Sequence, residues 1–152
     1  IEALPIETIS RSLFDADPGS LFLALYRCFE AIYSVKACKK LGNSLGLSKP
    51  WQEISKFLEV DLSWRPREQP SLTTLLAPVT GYTLSVILKA IGLNDVDPTS
   101  DKVSIAVYEL RNQLVHFRPG MQLNSSKSKV NWSDLYIGMI GALKETYLAI
   151  ED

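Results

Sequence analysis

The residues with the most chemistry in this chain fall in one stretch, Glu109-Leu110-Arg111-Asn112-Gln113-Leu114-Val115-His116-Phe117-Arg118-Pro119-Gly120. His116 is the single histidine, and imidazole is the side chain that titrates near neutral pH without a perturbed environment. Arg111 stands five places before it and brings a permanent charge in a planar fork that matches phosphate. Cleaving RNA without a metal needs three groups: a base for the 2'-hydroxyl proton, an acid for the leaving 5'-oxygen and a cation for the crowded phosphate. One chain has too few of them. A two-fold homodimer, in which one surface patch meets its copy, supplies two histidines and two arginines.

The helix that positions these groups is legible from its spacing. Val103, Val107, Leu110, Leu114 and Phe117 form one apolar stripe before Pro119-Gly120 ends the helix. At about 100° per residue, Asn112 and His116 point away from that stripe. The same outer face carries Ile105, Tyr108 and Val115, so it reads as a dimer interface with Asn112 and His116 inside it. Arg118 and Tyr108 are weaker candidates for substrate contact.

Before it, Asp17-Pro18 provides an N-cap and a proline at the first helical position. A long helix is expected to follow from Leu21 to Leu41, with a stripe wide enough for a central position. Arg27 and Glu30, three apart, read as a local pair of little energetic weight. Lys36, Lys39 and Lys40 suit the negative end of their own helix. Cys28 and Cys38, ten residues apart in one helix, stand about 15 Å from each other and cannot pair. Ser48-Lys49-Pro50 opens a short second helix through Trp51, Ile54, Phe57 and Leu58. A polar connection from Asp61 to Pro70 carries Arg65 and Arg67, read as solvated. Ser71 is expected to cap a third helix that kinks or breaks at Pro78 and Gly81. Asp97-Pro98 starts the helix of Arg111, a polar loop covers Gln122 to Lys129, and Asn131 precedes a fifth helix.

No segment alternates with period two, so the expected fold is all-α, a bundle of about five helices in one domain spanning residues 1–152. The 46% hydrophobic and 22% charged composition is that of an ordinary globular domain. A net charge of −1 excludes a globally basic nucleic-acid-binding surface and leaves a local groove. No apolar run approaches the length of a membrane span, no signal peptide opens the chain, and the reading is cytoplasmic. With one histidine and no Cys-x-x-Cys, no zinc site is expected, and no cofactor. The chain begins at Ile1 and is expected to be a domain of a longer protein with a regulatory or sensor domain attached.

The run Arg111-Asn112-Gln113-Leu114-Val115-His116, near a helix end, resembles the Arg-Asn-x-x-x-His signature of the HEPN superfamily, as a defence-associated, Apea-like or related ribonuclease domain. The helical organisation of about 130 residues, with Tyr26-Arg27-x-x-Glu30 on the long first helix, is similar as well. The resemblance implies a homodimeric, metal-independent endoribonuclease of a toxin-type or antiphage defence system. Arg111 would be the phosphate clamp, Asn112 an orienting group and His116 the acid-base group. At the second position after His116 stands Arg118, where toxins paired with nucleotidyltransferase antitoxins carry tyrosine, which puts that form of regulation in doubt. The family also contains non-catalytic helical modules, and the Ile105, Tyr108 and Val115 face would serve such a module for dimerisation alone.

Overall fold

The structure, a computed structural model, describes residues 17–115 and 130–151. Those residues form seven helices and no strand: α1 Pro18–Glu30, α2 Val35–Leu45, α3 Trp51–Leu62, α4 Glu68–Leu76, α5 Gly81–Ala90, α6 Ser100–Val115 and α7 Trp132–Glu151. The fold is an all-helical bundle, as the periodicity implies. No helix among the described residues is long and apolar enough to cross a membrane.

Several helix starts follow their capping residues. The Asp17 carboxylate accepts from the Gly19 amide, with Pro18 at the first helical position. Asn131 accepts from the Asp134 amide, and its own amide donates to the carbonyl of Ala90, which pins the entry of α7 to the end of α5. The expected third helix breaks between Leu76 and Gly81. Its first half begins at Glu68, three residues before the anticipated Ser71 cap. Asp97-Pro98 lies just outside α6, where the Thr99 hydroxyl accepts from the Lys102 amide.

The long first helix is two helices. Residues 31–34 form a turn in which Ile32, Tyr33 and Val35 donate to carbonyls three residues back. Such tightened bonds interrupt the α ladder. Ile32 and Tyr33 are both buried there, so the turn stays packed against the core. Cys28 and Cys38 therefore sit on different helices, both buried and free. Their failure to pair stands, although the single helix from which it was argued does not. The lysines of α2 reach beyond their own helix. Lys36 donates to the Thr74 carbonyl at the end of α4 (2.6 Å), and Lys39 to that of Ile150 at the end of α7. The expectation that these lysines suit the negative end of their own helix is corrected, because α2 begins at Val35 and its last turn carries no basic residue; Lys36 and Lys39 instead meet the carbonyl ends of α4 and α7.

The core is built by α1, α4, α5, α6 and α7, with α5 on α7, α4 on α6 and α1 on α7 as the most extensive pairings. Phe22, Phe29, Leu72, Ile87, Val103 and Leu135 lie at its centre, none with any exposed surface. α5 and α7 approach closely because Gly138 has no side chain. A Cβ there would lie 2.7 Å from Ile87 Cγ1.

Candidate functional site

Three helix ends converge on Arg111. Glu30 is the last residue of α1, Glu68 the first of α4, and Arg111 lies in the last two turns of α6. Its Nη2 is 3.4 Å from Glu30 Oε1 and 3.9 Å from Glu68 Oε2, and Nη1 donates to Asn112 Oδ1 at 3.1 Å. The guanidinium carbon lies 5.8 Å from the centroid of the Tyr26 ring, within cation–π range. Glu68 belongs at a helix N-terminus, where a negative charge is favoured. Glu30 ends a helix, where it is not, and the Arg111 cation offsets that.

The site's support lies two turns back along α6. The Ser104 hydroxyl, fully buried, sits 2.6 Å from Thr73 Oγ1, accepts from Gln69 Nε2 (3.2 Å) and donates to the Asp101 carbonyl (2.8 Å). This polar contact fixes how α4 is set against α6. Glu68, adjacent to Gln69, is thereby placed against Arg111. At the other end of α6, a Cβ on Gly19 would come 2.9 Å from Leu114 Cδ2, so the start of α1 packs tightly on the final turn before His116.

Two tyrosines stand under the ion pairs. Tyr26 and Tyr33 are buried with rings 6.5 Å apart and edge to face. Burial pushes the Tyr26 phenol up to about 12 against a lowering by the nearby Tyr33 hydroxyl, with Glu68 and Glu30 pushing the same way as burial. Burial also drives the Tyr33 phenol far upward. Both therefore stay protonated at neutral pH and are donors, never bases. Tyr26 Oη, Tyr33 Oη and Glu68 Oε2 are buried without a well-formed hydrogen-bond partner among the described residues. The floor of the site thus holds more polar groups than the described hydrogen bonds satisfy.

The anticipated residues divide into three sets. Arg111 and Asn112 are together, in contact and only partly exposed. Ile105 and Val115 are exposed at 37% and 47%, as an interface reading requires, whereas Tyr108 is partly buried against the core. His116 and Arg118 lie outside the described residues. Arg111 is set well into the packed helices, because only 20% of its side chain is exposed and it ties α6 to α1 and α4. Glu30 pairs with Arg111 and not with Arg27, the partner its spacing suggested. Arg65 meets Glu59 at 3.1 Å on the surface.

Glu68 and Tyr33 were missed as site residues. Tyr26, Glu30 and Tyr33, spaced four and three apart along the first long helical stretch, were the available signal, since a half-buried carboxylate there needs a partner. Nothing local marks Glu68. No cluster of three or more metal-ligating side chains occurs among the described residues. No family model matches this chain, and neither the curated proteins nor the solved structures give a match.

Proposed function

We propose that this chain is a HEPN-like endoribonuclease domain, acting in the cytoplasm as part of an antiphage defence or toxin-type system and cleaving RNA without a metal at a site shared by two copies. The supporting observation is the setting of Arg111, held by Glu30 and Glu68 over the Tyr26 ring, beside Asn112, on the helix that leads into His116. In this reaction His116 of one copy takes the proton of the 2'-hydroxyl, whose oxygen attacks phosphorus. The second copy's imidazolium protonates the departing 5'-oxygen. Products carry a 2',3'-cyclic phosphate and a 5'-hydroxyl. Arg111 offsets the charge that grows on the phosphate, and Asn112 orients the guanidinium. Arg118 and Tyr108 would contact the RNA backbone. A regulatory or sensor domain of a longer protein would control the site.

The test is cleavage of labelled RNA by the purified dimer in EDTA. Activity that persists in chelator, leaves cyclic phosphate ends and disappears in His116→Ala is the expected result. Cleavage that stops in EDTA and leaves 5'-phosphates overturns the scheme. The engagement of Arg111 by two carboxylates favours a second reading, a non-catalytic helical module in which Arg111 only braces α1, α4 and α6 and the Ile105, Tyr108 and Val115 face only dimerises. A folded dimer that cleaves no RNA under any of these conditions decides for that module.

A further inference from the structure

Arg111 is paired twice and held tightly by neither partner. A charge-assisted bond between a guanidinium and a carboxylate closes to about 2.7–2.9 Å, commonly through two parallel N–H groups. Here both carboxylates approach the single nitrogen Nη2, Glu30 at 3.4 Å and Glu68 at 3.9 Å, and only the Glu30 contact is a hydrogen bond. Glu68 Oε2 is buried with no hydrogen-bond partner among the described residues. The two carboxylates are not equivalent. Glu30 closes α1, where a negative charge meets the negative end of its helix, so it depends on Arg111. Glu68 opens α4, where the helix end itself favours a carboxylate, so it can part from Arg111 at lower cost. Its side chain is also the more exposed of the two, 41% against 32%.

We propose that Glu68 is a gate on the phosphate clamp: in the empty site it stands at the approach to Arg111 Nη2, and an RNA phosphate must displace it to bind. The proposal rests on the reading of Arg111 as that clamp and adds the residue that limits its occupancy. A phosphate oxygen would bond Nη2 at about 2.8 Å, so its charge and that of an unmoved Glu68 would crowd one nitrogen. Like charges at that range repel, and the two anions exclude each other. Glu68 is the one that yields, because it has no hydrogen bond from a described residue to lose. Glu30 keeps its bond to Nη2 and Asn112 accepts from Nη1, so the fork stays aimed while Glu68 turns to solvent.

Fluorescence anisotropy with a labelled single-stranded RNA of 2'-O-methyl riboses tests the gate, since such an RNA lacks the attacking hydroxyl and reports binding apart from cleavage. Glu68→Gln is isosteric and should keep its helical circular dichroism, while tightening binding about three- to tenfold at low salt. Glu30→Gln and Glu53→Gln remove the same charge, from the hydrogen-bonded partner and from the exposed pair with Lys49, and should gain less than about twofold. On cleavable RNA, Glu68→Gln should lower KM and leave kcat within about twofold. Arg111→Lys should weaken binding and erase the gain of Glu68→Gln in the double variant. Binding unchanged or weakened by Glu68→Gln, beside a clear loss in Arg111→Lys, would overturn the gate and leave the clamp. An equal gain in Glu30→Gln or Glu53→Gln would make the effect one of net charge and overturn it too. Binding that neither Glu68→Gln nor Arg111→Lys alters would remove the clamp and the gate together. The gain, seen in a chain that cleaves no RNA, supports the gate and fails only the nuclease reading.

Discussion

Removing the guanidinium of Arg111 leaves Glu30 and Glu68 without the cation between them, so Arg111→Ala should destabilise the fold by about 1–2 kcal/mol in urea unfolding. The partial exposure of all three side chains keeps the figure at that modest level. Arg111→Lys keeps a charge but loses the fork that reaches Glu30 and Asn112 together, and should recover stability more fully than RNA cleavage. A loss of activity in Arg111→Ala is therefore interpretable only beside its unfolding curve. His116→Ala should lose cleavage with no comparable shift. Glu145 carries a second residue-scale prediction. Burial pushes its carboxyl up, but hydrogen bonds from the Thr83 hydroxyl, the Thr80 amide and the Thr80 hydroxyl outweigh it, so the folded value lies below the ordinary one. The stabilisation is complete above the unfolded-state value and is lost as pH falls through the folded one. Glu145→Gln should flatten the acid limb of the stability profile and leave the neutral region least changed in slope.

At the scale of elements, helix ends test the geometry most directly. Ser63 closes α3 at φ 52, in the left-handed region, where the equivalent position after α2 is Gly46 at φ 63. A side chain there is strained, so Ser63→Gly should raise stability by about 0.5–1 kcal/mol. Gly138→Ala should act in the opposite sense by about 1–3 kcal/mol, since its methyl would meet Ile87 and Val86 across α5 and α7. What the chain spells out are starts and stops with local chemistry: Asp17-Pro18, Asn131 and the break near Pro78. The division of α1 from α2 has no such mark, because residues 31–34 contain neither glycine nor proline. The turn shows itself only in the hydrogen bonds that Ile32, Tyr33 and Val35 make three residues back. The site was legible in the same uneven way. Arg111 and Asn112 stood out by type and spacing, while Glu68 reaches them only because α4 lies along α6.

At the scale of the whole molecule, the proposed nuclease is a property of the assembly. Mixing His116→Ala subunits with wild-type subunits under exchange conditions separates shared from independent sites. If both imidazoles serve one phosphate, activity should fall as the square of the wild-type fraction; a linear fall would assign the second proton transfer to another group. The tyrosines beneath Arg111 are poor substitutes, since burial holds both phenols protonated.

α3 is fastened chiefly to α2, and this bears on how the molecule opens. The core helices share one continuous apolar cluster, whereas α3 is held by Trp51 at its start, Ile54 and the Ser55–Ser34 hydroxyl contact of 2.8 Å. Its amides should therefore exchange with solvent deuterium through a sub-global opening of lower free energy than that of the core helices.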